Sequence, residues 1–183
     1  MKGQDILILL KLVSLQQQAK QRDSERHLAE QCSARGLEAL LGVSKTEVNA
    51  SINRSIEAGL AVKDRQNKYP KTNVKGLLEF ILHGVKYVFP VKPAELVRGV
   101  PTSFDAPVLK GKLSSGGEFK HVWPDALGKA MGQAVKTLFK SVPMAAQQDR
   151  QLYAYLALVD AIRLGNPREA KLAQKLLQEK LSS

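Results

Sequence analysis

Apolar residues at Ile6, Leu7, Leu9, Leu10 and Val13, reaching on to Leu15, recur at helical spacing and spread around more than one face. That pattern predicts a helix over Gln4 to Gln18 that is buried on most sides. The chain then turns polar, and Lys20 to Arg26 reads as a loop, with Ser24 and Glu25 suited to open a short helix carrying Leu28 and Ala29. Ala34 to Leu41 sets Leu37, Leu40 and Leu41 on one face and stops at Gly42, a residue suited to the left-handed backbone that follows a helix. A second helix starts at once. Ser44 followed by Glu47 is a capping-box pattern, in which the Ser oxygen accepts from the third-position amide and the Glu reaches back to the cap amide. Val48, Ile52 and Ile56 then recur every four residues toward Leu60, and Gly59 ends the helix.

Leu60 to Asp64 and Lys71 to Val74 predict two short strands around a polar tip, Arg65 to Tyr69, with Pro70 at an edge position. Between Leu60 and Gly76 five basic residues (Lys63, Arg65, Lys68, Lys71, Lys75) face one acid, Asp64. Two short helices joined by a Gly-Val-Ser turn form a helix-turn-helix pattern, in which the first helix braces the second for the DNA major groove. The face of the second helix away from its apolar stripe is polar, and asparagine pairs with adenine while arginine pairs with guanine or phosphate. The candidate DNA contacts are therefore Ser44, Lys45, Thr46, Asn49, Asn53 and Arg54 on the helix, and Lys63, Arg65 and Lys68 on the hairpin. The competing readings are a solvated helix face and a hairpin tip that is basic only to block edge pairing.

The string Leu37-Glu38-Ala39-Leu40-Leu41-Gly42-Val43-Ser44-Lys45-Thr46-Glu47-Val48, with Ile52, Ile56 and Ala58-Gly59-Leu60 after it, resembles the helix-turn-helix and wing entry of bacterial winged-helix transcription regulators, MarR-like in particular. The resemblance covers roughly the first half of the chain. It implies a wing carrying Lys63, Arg65 and Lys68 to the minor groove, and a further helix over Val74 to Leu82.

The second half departs from that family. Val85-Lys86-Tyr87-Val88-Phe89 predicts a buried strand, and Pro90, Pro93, Pro101 and Pro107 punctuate an irregular stretch. Ser114-Ser115-Gly116-Gly117 reads as a flexible loop, Ala126 to Lys140 as irregular or helical, and Ser141-Val142-Pro143 as a turn. Leu152 to Leu164 and Arg168 to Leu181 predict two helices joined at Gly165-Asn166-Pro167. The phrases Gly84-Val85-Lys86-Tyr87, Val122-Trp123-Pro124 and Ala157-Leu158-Val159-Asp160-Ala161 resemble small stand-alone bacterial winged-helix proteins, some linked to toxin-antitoxin or defence loci.

Charge adds a partner class. The 183 residues carry 28 Lys and Arg against 17 Asp and Glu, a net charge of +11. The excess is dispersed, with 13 basic against 8 acidic side chains up to residue 76 and 15 against 9 after it. Dispersed positive charge on a chain that is 44% apolar points to a folded domain with a polyanionic partner. The longest apolar run, Ile6 to Leu10, is broken by Lys11 and is too short to span a bilayer, and Asp5 argues against a signal peptide, so an intracellular, cytoplasmic protein is expected.

Chemistry-bearing residues are sparse. Cys32 stands alone, either a packed hydrophobe or a redox sensor without a resolving thiol, and a disulfide framework is excluded. His27, His83 and His121 lack ligand or triad spacing, and Asp105, Asp125, Asp149 and Asp160 are scattered, so no metal, cofactor or enzymatic activity is expected. Tyr87, Phe89, Phe104, Phe119 and Trp123, interleaved with Lys86, Lys92, Arg98, Lys110, Lys112 and Lys120, match either a stacking platform for single-stranded nucleic acid or the core of a second layer.

The resulting expectation is a mainly α chain with a small β wing. A winged helix-turn-helix DNA-binding domain over residues 1–84 precedes a small α+β regulatory and dimerisation module over 85–183 that ends in a helical hairpin. The expected function is a sequence-specific double-stranded DNA-binding regulator, a homodimeric repressor, with a protein partner or small-molecule effector acting on the second half. The alternatives are an antitoxin-like or defence-associated interaction protein that autoregulates, and a single-stranded nucleic-acid or RNA binder. The leucine stripes Leu152, Leu156, Val159 and Leu164, and Leu172, Leu176, Leu177 and Leu181, are either core or dimer interface. Leu172, Leu176 and Leu177 are expected at the interface.

Overall fold

The computed structural model describes residues 1–22, 27–63, 69–112 and 119–182, the side chain of Arg22 excepted. The protein is mostly helical with two small sheets. Helix α1 (Gly3–Arg22) is the central element. Ile6 to Leu10, Leu12 and Val13 are all at most 2% exposed, so the all-round apolar pattern produces a helix with neighbours on every side. It packs on α4, α8 and the first hairpin.

After α2 (Leu28–Gln31), α3 (Ala34–Leu41) and α4 (Lys45–Glu57) stand either side of a turn in which Gly42 takes φ +62°, backbone that a side chain disfavours. Strands β1 (Ala61–Lys63) and β2 (Pro70–Thr72) pair antiparallel with Val62 opposite Lys71, and α5 (Val74–His83) follows. The predicted strand at 85–89 is instead the short helix α6 (Val85–Val88). Val85 is buried while Tyr87 is 80% exposed, an arrangement that alternation on a strand does not give.

Strands β3 (Leu96–Pro101), β4 (His121–Pro124) and β5 (Ala130–Ala134) each pair with both others, β4 running parallel to β5 and the rest antiparallel. Closure brings backbones so near that a Cβ on Gly99 would sit 2.1 Å from the Trp123 carbonyl oxygen. The predicted turn at Ser141 to Pro143 instead opens α7 (Val142–Gln148), with proline in its first turn. Helices α8 (Arg150–Leu164) and α9 (Pro167–Ser182) form the expected hairpin. Tyr155 to Arg163 are all buried, and the buried apolar residues make one cluster running from α1 through α8 to α9. Leu177 (0% exposed) and Leu181 belong to that cluster, with Leu172 and Leu176 packed against it. The apolar face of α9 is therefore intrachain core, a correction to its expected place at a dimer interface. No helix among the described residues is long and apolar enough to cross a membrane.

Candidate nucleic-acid interface

Local chemistry fixes the junction of α3 and α4. Ser33 caps α3 by accepting from the Gly36 amide, and Ser44 Oγ accepts from the Glu47 amide at 3.4 Å. The other half of the capping box does not form. The Glu47 side chain accepts instead from Gln4 Nε2 and lies 3.8 Å from Lys2 Nζ, drawing α4 onto the start of α1. Glu38 of α3 takes a further free amide of α4, accepting from Lys45 N at 3.0 Å.

The hairpin is held at its base. Asn73, which no periodicity or motif singles out, donates to the Gly59 carbonyl at 2.9 Å and accepts from the Gly76 amide, linking the end of α4 to the start of α5. Thr72 Oγ1 donates to Leu9 O of α1 at 3.0 Å. These bonds set the hairpin beside α4.

The buried face of α4 is wider than the predicted stripe and is centred to one side of its isoleucines. Val48, Ser51 and Ser55 are buried, whereas Ile52 and Ile56 flank the core half-buried. The cause is Asp5, fully buried in α1, which accepts from Ser51 Oγ at 2.6 Å and takes a two-pronged ion pair with Arg54 (Nη2–Oδ1 2.7 Å, Nε–Oδ2 3.1 Å). Burial pushes the Asp5 carboxyl up, but donation by Arg54, Ser51 and the Lys2 amide outweighs it, and the group titrates below its ordinary range. Arg54, expected among the DNA contacts, thus turns Nε and Nη2 onto Asp5 while its side chain stays 26% exposed.

With α4 rotated in this way, Ser44, Lys45, Thr46, Asn49 and Asn53 are all exposed. Lys45, Asn49 and Asn53 lie four residues apart on one stripe about 12 Å long. Lys63 on β1 is exposed beside it. A groove of about 640 Å³ runs between α4 and the hairpin, with Asn49, Asn53 and Lys63 on its rim and Ile52, Tyr69 and Cys32 among its walls. Arg65 and Lys68, expected at the hairpin tip, lie outside the described residues. Cys32 is fully buried and burial pushes its thiol up to about 12, so it is a packed protonated side chain, not a reactive thiolate.

The scattered aspartates have structural partners. Asp149 caps α8 by accepting from the Gln151 and Leu152 amides, and binds Lys11 Nζ (2.9 Å), Ser14 Oγ (2.7 Å) and Gln18 Nε2 (3.0 Å) of α1. Asp160 accepts from Trp123 Nε1 (2.5 Å), Thr102 Oγ1 (2.9 Å) and Arg163 Nη1 (2.6 Å), tying α8 to the three-stranded sheet. Burial there dominates and pushes the Asp160 carboxyl up against the pull of Arg163 and its neutral donors. Asp105 accepts from the His121 amide, and Asp125 from Leu127 N and Gln147 Nε2. Among the described residues no group of three or more His, Cys, Asp or Glu is placed to hold a metal ion.

The aromatic residues of the second half do not form one platform. Phe104 and Trp123 are buried, Phe89 is half-buried, and Tyr87 and Phe119 are exposed. No family model matches the chain, and neither a curated protein nor a solved structure matches it.

Proposed function

We propose that the chain is a winged-helix protein that binds double-stranded DNA, with α4 entering the major groove and the β1–β2 hairpin following the backbone. One observation carries the reading. Lys45, Asn49 and Asn53 form an exposed stripe on a helix whose opposite face is locked to α1, next to a hairpin that sets Lys63 on the same groove. Asparagine at two turns of such a helix supplies adenine readout, lysine supplies phosphate contact, and the net charge of +11 supplies the sequence-independent attraction. Regulation of transcription, by repression, is the role this binding serves in the proposal. One such helix reads too few base pairs for useful specificity, so two copies are expected on an inverted repeat.

The test begins with competition among duplex DNA, single-stranded DNA and RNA at one salt concentration, followed by selection of a preferred duplex from a random pool. On the selected duplex, Asn49→Ala or Asn53→Ala is expected to weaken binding by ~1–3 kcal/mol while random duplex is held almost as before. Equal losses on both duplexes would remove base readout from α4. Changing Lys63, Arg65 and Lys68 together to Gln is expected to flatten the plot of log K against log salt by up to ~0.9 for each phosphate the hairpin no longer neutralises. An unchanged slope would turn the hairpin away from DNA.

A second reading is an interaction protein whose second half holds another protein. It is favoured by Leu96, Leu127 and Met131, all at least half exposed on or beside the three-stranded sheet. Preference for a protein partner with no duplex binding would select it.

A further inference from the structure

A second cleft lies far along the chain from α4, between the turn after β3 and the α7–α8 corner. Its volume is about 520 Å³, within the range of small-molecule sites. One wall is Ala106, Pro107 and Val108, and the other is Ala146 with the first turns of α8, including Tyr153 and Ala154. The walls are apolar. The Tyr153 hydroxyl does not face a ligand as a free donor, because it donates to Pro101 O at 2.6 Å, and burial pushes its pKa up to about 12. Gln147 Nε2 donates to Asp125 Oδ2 and Pro143 O, so it is not a free donor to a carboxylate. The charged group at the rim is Arg150, exposed, lining the cleft, and without an ion-pair partner among the described residues.

We infer that this cleft binds a small amphipathic monocarboxylate, its apolar body against Val108, Tyr153 and Ala154 and its carboxylate on the Arg150 guanidinium. An unpaired guanidinium offers a planar fork that matches a carboxylate, and apolar walls around that one charge favour a ligand with one anionic end and an uncharged body over a wholly neutral one. The site does not rest on the DNA-binding proposal, since none of its residues lies on α4 or the hairpin.

The molecule carries its own reporter. Trp123 is the one tryptophan of the sequence, 1% exposed, and its ring centroid lies 5.6 Å from that of Tyr153, which lines the cleft. The experiment titrates the full chain with octanoate and with octanol, following heat by calorimetry and Trp123 emission in parallel. Octanoate is expected to bind saturably with a change in emission, and octanol at least ten-fold more weakly. Arg150→Gln, at an exposed position, is expected to weaken octanoate at least ten-fold and leave octanol unchanged, while Ala154→Leu, which narrows the cleft, weakens both. Absence of octanoate binding overturns the proposal, and so does octanoate affinity that survives Arg150→Gln. Binding that leaves Trp123 emission unmoved and is indifferent to Ala154→Leu overturns it as well, because the ligand then sits elsewhere.

Discussion

Replacement of Asp149 by alanine is expected to cost about 3–5 kcal/mol of folding stability, which on the 5–15 kcal/mol scale of a small domain leaves the chain close to unfolding at 37 °C. Asp149 and Lys11 are each 5% exposed, and their side chains meet at 2.9 Å across 138 positions of sequence. Alanine removes the cap of α8 and strands an ammonium in the core. Lys11→Met removes the other partner but leaves Asp149 with Ser14, Gln18 and two helix amides, so its expected cost is smaller, about 1–2 kcal/mol. Chemical denaturation of the two variants checks the order, and equal losses would show that the pair and not the carboxylate network matters. Acid adds a second readout. For Asp149, burial raises the pKa, but the bonds from Lys11, the Leu152 amide and Ser14 outweigh it, and the folded value falls below the ordinary 3.8. A carboxyl depressed by folding stabilises fully above the unfolded pKa and loses that contribution as pH falls through the folded one. Asp5 behaves the same way, so melting temperature is expected to drop as pH goes below about 4, and less steeply once Asp149 is replaced.

What was legible in the sequence was local. Gly42 and Gly59 by left-handed backbone and Ser44 by its side-chain cap mark the ends of α3 and α4, and both helices stand where those residues place them. The polar stripe Lys45, Asn49 and Asn53 follows from the same periodicity. Arg54 does not, because its fate depends on Asp5, 49 positions away. A signal for that contact was present in Asp5 and Lys11, two charges beside and within the apolar stretch Ile6 to Val13, where a buried charge requires a partner. The partners themselves were not legible, since nothing in a single sequence assigns Asp149 to Lys11. Propensity failed at both ends of its scale. Val85 to Val88 is rich in strand formers yet helical, and Ala130 to Ala134 is poor in them yet forms the strand that closes the three-stranded sheet. Tertiary pairing decided the second case.

Removal of α9, by truncation after Pro167, is expected to abolish cooperative folding and not to release a folded monomer. Ala173, Leu177 and Leu181 are buried, with Leu172 and Leu176 packed half-buried against the core, and each fully buried leucine contributes about 1.5–3 kcal/mol relative to exposure. The loss is not confined to the deleted residues. Helix α9 covers α8 and α5, and the Lys180 carbonyl accepts from Gln17 Nε2 of α1, so truncation bares the apolar surface that these elements now share with it. Losses of this size together equal or exceed the whole stability of a small domain. Between its end residues, α9 turns outward Arg168, Lys171, Lys175, Gln178, Glu179 and Lys180, a polar surface unlike the apolar core of an obligate dimer interface. Lys171→Glu with Lys175→Glu is therefore expected to leave the sedimentation coefficient of the full chain unchanged. A truncated chain that melts cooperatively as a monomer would return α9 to the interface and reopen the assignment of its leucines.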